Sequence, residues 1–431
     1  MDRNSQTMSA TTGALARRLG TGDAVVIGLS AMIGAGVFSV FAPAAAAAGS
    51  GLLIGLGVAA VVATCNALAS AQLATAYPTS GGTYVYGREV LGEWWGFLAG
   101  WGFVIGKTAS CAAMAMTFAA YAVPAGGWWT RVAAALAVAA MTAANLAGIS
   151  KTATAARVLL ALTLSTLVLF VAIAWRYAAT NPAVPSLPGP QGLHGVLQSA
   201  GLLFFAFAGY ARIATLAEEV ERPERLSRAI TLALGVAILV YAAVGLGLIT
   251  VLGADLPSSA TPIAAAVRAA GAAWAAPLVR VGAAAAGLGA LLALLAGVGR
   301  TTLAMARERD LPGWFAAVDR SRQVPHHAQL ALGAAVVVLV LVADLRGAIG
   351  FSSCGVLVYY AVANLSALRQ PAHQRHWPRA LNVLGLLGCL VLVGTLPWAS
   401  LLAGLAVLAT GLVGRLALSG RRRRARAAAG G

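Results

Sequence analysis

The sequence predicts an all-α polytopic membrane protein of twelve transmembrane helices, and three observations predict it. Of the 431 residues, 60% are hydrophobic and only 10% are charged, where a soluble domain carries about 25% charged residues. Apolar runs of about 20 residues, the length that crosses a bilayer, recur from end to end. The basic residues also alternate between the segments joining those runs, as membrane insertion demands.

The runs fall at 24–48, 52–77, 95–123, 132–146, 155–175, 196–216, 230–252, 272–305, 328–342, 349–368, 381–396 and 399–418. With the N-terminus in the cytoplasm, 24 of the 30 basic residues lie inside. Five (Arg131, Arg176, Arg268, Arg280 and Arg346) lie outside, and Lys107 sits within the third run. This bias favours an even span count with both termini cytoplasmic, because miscounting one span would scramble the alternation. Trp94, Trp95, Trp128, Trp129, Trp175, Trp274, Trp314, Trp377 and Trp398 flank the runs as an interfacial belt should. The first twenty residues are polar and basic, without the apolar core of a cleavable signal. The expectation is a multi-pass protein of the plasma (inner) membrane. It has a cytoplasmic tail at 1–22, one transmembrane domain at 23–418 and a basic cytoplasmic tail at 419–431.

The net charge of +17 reads as an orientation signal and not as a nucleic-acid footprint. The basic run Arg421–Arg424 with Arg426 belongs near anionic headgroups. Cys65, Cys111, Cys354 and Cys389 are scattered through apolar runs without metal-ligand spacing, and the five histidines lie in loops or at span ends. No metal, cofactor or nucleic acid is expected. A membrane-embedded enzyme would need paired intramembrane carboxylates, but the thirteen acids fall in loops and at span ends. An enzyme is therefore not expected.

Within the first run, Gly28, Gly34 and Gly36 interrupt the stretch 27–38. A helix in lipid must satisfy its own backbone, so a break at mid-depth needs protein, water or a ligand to complete its hydrogen bonds. N–H groups freed at the start of a half-helix suit a carboxylate. The sixth run shows a second interruption at 201–212, five spans later. Interrupted segments at matching places in two halves point to a transporter binding site. Five spans per half also force the halves into opposite orientations. This predicts a 5+5 inverted repeat with helices 1 and 6 broken: repeat one at about 23–178, repeat two at about 193–369, and two appended helices at about 380–418.

Lys107 is a charge at mid-span, costly in lipid and a functional hypothesis by default; it would replace a coupling cation or carry the coupling proton. Arg212 follows the second break and would pair with Glu218 or Glu219, or meet an acidic substrate group. Glu218 and Glu219, with Arg300, form a candidate cytoplasmic gate.

Four stretches resemble the amino acid–polyamine–organocation superfamily of permeases. These are Ile33-Gly34-Ala35-Gly36-Val37-Phe38; Pro78 to Tyr86; Phe207-Ala208-Gly209 through Glu218-Glu219 to Arg225; and Arg300 through Ala306-Arg307 to Leu311-Pro312. The resemblance implies that backbone around Ile33, Gly34, Ala35 and Gly36 receives a substrate carboxylate. It implies that carbonyls around Phe204, Phe205, Ala206, Phe207 and Gly209 receive the ammonium, with Phe205 as an aromatic gate. Where some relatives carry a coupling lysine in helix five, Thr163 stands here, and the stretch 289–298 lacks the hydroxyls of sodium-coupled relatives. The implied function is a secondary active permease for amino acids, proton-coupled, working by alternating access. A transporter of polyamines or other organic amines and an amino-acid exchanger are the alternatives. The oligomeric state is not legible.

Overall fold

The computed structural model describes residues 21–77, 81–123, 126–148, 153–181, 187–189, 191–210, 226–319 and 321–429. Among these, every regular element is a helix and none is a strand. Nine helices are long and apolar enough to cross a membrane, and three shorter apolar helices, Ala24–Ser39, His326–Val342 and Arg379–Thr395, accompany them.

The first apolar run is broken. Helix α1 (Thr21–Met32) stops, three residues leave helical geometry, and the chain resumes as α2 (Gly36–Ser39) and α3 (Phe41–Ala48). The Val40 N–H still bonds the Gly36 carbonyl at 3.0 Å, and the Ala44 N–H bonds that of Val40 at 3.1 Å. Thus α2 and α3 form one half-helix with a slight kink. Next come α4 (Leu52–Ala76), α5 (Thr83–Leu91), α6 (Glu93–Ala122), α7 (Gly127–Leu146) and α8 (Ala153–Thr180). Helix α9 (Gly192–Phe207) ends in a 3₁₀ turn at Ala208–Tyr210. The remaining helices are α10 (Leu226–Leu252), α11 (Pro262–Ala269), α12 (Ala276–Arg307), α13 (His326–Val342), α14 (Leu345–Arg369), α15 (Arg379–Thr395) and α16 (Trp398–Ala429).

Two short helices, α5 and α11, fall in stretches that the hydropathy pattern leaves as connections, because eight or nine residues cannot register as a span. Helix α16 also continues through the basic residues expected as a separate tail, since an arginine-rich run keeps good helix propensity.

Helix α14 lies at the centre, with 83% of its apolar window buried, whereas α16 is peripheral at 22%. Helices α6 and α14 cross closely because small residues meet there. A methyl group on Gly106 would come within 2.9 Å of the Ser352 carbonyl, and the Ser110 and Ser352 hydroxyls are 2.7 Å apart. Outward positions such as Leu239, Val168 and Leu136 are exposed, as lipid-facing side chains should be.

One end of the bundle is closed by charge. Asp310, just past α12, is buried and bonded to Arg88 of α5 at 2.9 Å and to Arg415 of α16 at 2.8 Å. The Tyr84 hydroxyl donates to the same carboxylate at 2.8 Å. Burial, and then that bond, push the Tyr84 phenol up from its ordinary pKa, so it stays a donor. Arg415 also lies over the rings of Trp94 and Phe97 at the start of α6. Three separate helices are thereby fixed on one carboxylate.

Candidate functional site

The break after α1 and the end of α9 press against each other. Gly36 abuts Ala206: a methyl on Gly36 would lie 3.2 Å from the Ala206 Cα and 3.5 Å from the Phe205 ring. Gly209 abuts the end of α1 so tightly that any side chain would run into the Ala31 carbonyl and the Met32 N–H. A methyl on Gly34 would lie 3.4 Å from the Ala290 Cβ of α12. Glycine is needed at 36 and 209 for close approach of backbone to backbone.

Helix ends leave orphan backbone groups: N–H at the start, C=O at the finish. Both kinds meet here. Among the described residues no backbone hydrogen bond starts from the N–H of Gly34, Ala35 or Gly36, the residues opening the α2–α3 half-helix. On the other side, α1 and α9 both finish at the site, and their last carbonyls carry the partial negative charge of helix C-termini. Those carbonyls are answered by side chains from neighbouring helices. The Tyr241 hydroxyl of α10 lies 2.6 Å from the Met32 carbonyl and 3.0 Å from that of Ala206, so one proton spans the two interruptions. Lys107, buried midway along α6, donates from Nζ to the Ala208 carbonyl at 3.1 Å. Tyr360 of α14 approaches that carbonyl at 3.4 Å. From the other end, the Tyr121 hydroxyl of α6 donates to the Phe38 carbonyl at 3.0 Å, while Arg280 holds the Tyr121 carbonyl at 2.9 Å.

The aromatic residues of α9 pack inward. Phe204 meets Tyr360 edge-on with centroids 5.7 Å apart, and Phe207 meets Tyr241 at 4.9 Å. Ile33, Gly34, Ala35, Gly36, Phe204, Phe205, Ala206 and Phe207 are all buried, and Gly209 is partly so. The structure brings Gly36 against Ala206 and Phe205, and Gly209 against Ala31 and Met32. Among the described residues, the arrangement places N–H groups with no backbone acceptor near carbonyl oxygens at two helix ends, which is the complement of a zwitterion.

This geometry can be set beside known proteins. The amino acid permease family model matches residues 19–413. The chain belongs to the amino acid permease family. It is 54% identical to an uncharacterized transporter of Mycobacterium tuberculosis, covering 92% of this chain and 90% of that one. It is 27% identical to the branched-chain amino acid permease BcaP of Bacillus subtilis, over 94% of each. It is 28% identical to the vacuolar cationic amino acid transporter 4 of Arabidopsis thaliana, over 82% of this chain and 63% of that one. The resemblance to the permease superfamily, drawn from four short stretches, therefore holds over most of the chain.

Other candidates of the permease stand apart from the paired breaks. Thr163 is buried, but its hydroxyl donates to the Leu159 carbonyl of its own helix at 2.8 Å. Arg300 is exposed on α12. Arg212, Glu218 and Glu219, the rest of the proposed gate, lie outside the described residues, as do Pro78, Thr79 and Ser80. Sequence reasoning missed Tyr241, Tyr121 and Tyr360. The available signal was a tyrosine within an apolar run, whose hydroxyl must find a partner when buried. Nothing in the sequence named that partner, because it is a main-chain carbonyl over 30 residues away or more. An apolar groove of about 610 Å³ between α4, α9 and α15, lined by Ile54, Val61, Leu197, Leu387 and Val391, faces outward and is separate from the paired breaks.

Proposed function

We propose that this permease is a secondary active transporter that moves an amino acid across the plasma membrane by alternating access, coupled to protons. The observation that carries the reading is the meeting of the break after α1 with the end of α9, whose backbone places N–H groups at the start of α2 beside carbonyls at the ends of α1 and α9. The substrate carboxylate rests on the N–H groups of Gly34, Ala35 and Gly36. Its ammonium is received by carbonyls of the α9 end, from Phe204 to Gly209, with Phe205 closing over it. Counting the three short apolar helices as spans gives twelve, and the two breaks then occupy corresponding places in an inverted 5+5 repeat, with both termini cytoplasmic. Lys107, bonded to the second break, carries the coupling charge. Glu218 and Glu219 pair with Arg300 to close the cytoplasmic path.

The test is uptake of a labelled amino-acid panel by proteoliposomes under imposed gradients. Accumulation driven by an inward proton gradient, absent with sodium alone and lost in Lys107→Met, is the expected result. If no amino acid enters under any gradient, the reading is wrong; if proton-dependent accumulation survives unchanged in Lys107→Met, Lys107 is not the coupling group.

A further inference from the structure

The named relatives divide between branched-chain and cationic cargo, and one buried group bears on that division. Resting on the permease reading above, we propose that the site takes an α-amino acid with an uncharged side chain and rejects substrates bearing a second cation, with Lys107 as the residue that rejects them.

Lys107 lies at the middle of α6, 6% exposed, with its Nζ 3.1 Å from the Ala208 carbonyl. That carbonyl belongs to the turn closing α9, and the neighbouring Gly209 lies against the last turn of α1. Two helix C-termini therefore converge beside this ammonium, and their joint negative charge would otherwise attract a cation. Lys107 already supplies one. Ala208 follows Ala206 by two residues, at most about 7 Å of chain, and Ala206 touches Gly36. The ammonium thus borders the region between the breaks and repels a second cation there.

Nothing described offsets that repulsion. Asp310, the buried carboxylate among the described residues, is already bonded to Arg88 and Arg415, and the other described carboxylates sit at helix ends or in loops. The described side chains at the breaks, Ile33, Phe205, Phe207 and Ala290 with the phenols of Tyr241 and Tyr360, include no carboxylate to balance a second cation. A neutral amino acid adds no net charge: the attraction of its carboxylate to Lys107 partly offsets the repulsion of its ammonium. With an effective dielectric constant of about 20, a second unit charge at about 6–8 Å weakens binding about 30- to 100-fold.

The experiment measures binding and uptake of leucine, alanine, lysine, arginine and putrescine by the full-length protein in proteoliposomes, for wild type, Lys107→Gln and Lys107→Arg. The readout is the neutral-to-cationic preference within each variant. Wild type should prefer leucine or alanine over lysine and arginine by tens of fold. Lys107→Gln should lower that preference about 30- to 100-fold, and Lys107→Arg should keep it. Wild type taking lysine or arginine as well as leucine overturns the proposal while leaving the permease reading intact; so does an unchanged preference in Lys107→Gln. Failure of every amino acid to bind or enter overturns both. Should Lys107→Gln not fold, the wild-type preference and its retention in Lys107→Arg decide the matter.

Discussion

Asp310 and Lys107 are both buried charges, yet the protein holds them in opposite ways. Asp310 is surrounded by two guanidinium groups and a phenol, so both carboxylate oxygens are used. Lys107 has a single main-chain carbonyl at 3.1 Å and no carboxylate among its described partners. A carboxylate closed by two arginines has no reason to change partners, and it ties α5, α12 and α16 into one body. An ammonium resting on the carbonyl of a helix end has bonding capacity left over: three donors, one described acceptor. The comparison separates a lock from a site. It also says where substitutions should act on stability and where on transport.

The largest effect is expected at the lock. Asp310→Ala removes the buried counter-charge of Arg88 and Arg415 and leaves them only the exposed carboxylates of Glu93 and Glu308. Removing one partner of a buried pair costs about 3–5 kcal/mol, so the thermal unfolding midpoint in detergent should drop sharply. An unchanged midpoint would mean that the network is dispensable and that the contrast with Lys107 is empty.

Next comes the contact between the breaks. A methyl group in Gly209→Ala collides with the main chain of Ala31 and Met32, which cannot rotate away as a side chain could. Overpacking of this kind costs about 1–3 kcal/mol, and here it also pries the two interrupted helices apart. Transport should fall by more than stability does, since the displaced atoms are those that would hold the substrate. Loss of stability with full transport in the surviving protein would show that the breaks do not form the site.

Smaller still is Tyr241→Phe. It removes one hydroxyl that answers two carbonyls, Met32 and Ala206, and keeps the ring packed on Phe207. The net loss should be about 1–2 kcal/mol for the bond and the carbonyls left behind. Because Tyr241 bridges the ends of α1 and α9, which the proposed alternating access would separate, the ratio of exchange to net uptake should also shift. A purely structural role would leave that ratio alone.

How far this site was legible can be judged from its parts. The all-helical membrane character followed from long apolar runs, which no other architecture tolerates at this charge content. The break near Gly34 and Gly36 was readable because glycine punctuates an apolar run in its own neighbourhood. The end of α9 just before Gly209 was readable in the same way, and the continuation of that run, 211–225, lies outside the described residues. What was hidden is everything that crosses between helices. Tyr241 meets main chain 209 residues away at Met32, and Asp310 meets Arg88 across 222 residues. A carbonyl acceptor has no residue-type signature, so no pattern in the chain announces it. The short helices α5 and α11 were hidden for a different reason, since nine and eight residues are too few to show a membrane-length period.

Thr163 gives the smallest expected effect and the sharpest use of the comparison. It occupies a place that, by the family resemblance, could have held a coupling group, and it is buried, as such a group would be. Its hydroxyl, however, donates to the carbonyl of Leu159, four residues back in the same helix. Such back-bonding satisfies the hydroxyl locally and contributes little to helix stability. Thr163→Val removes that donor with little change in shape, and the acceptor keeps its helical N–H partner. Stability should therefore move by less than about 0.5 kcal/mol, in the range of substitutions that break no network, and the ion dependence of uptake should not move. If Thr163→Val instead altered the driving ion while Lys107→Met did not, the coupling charge would lie on α8. The ammonium on the Ala208 carbonyl would then be a second lock, like Asp310.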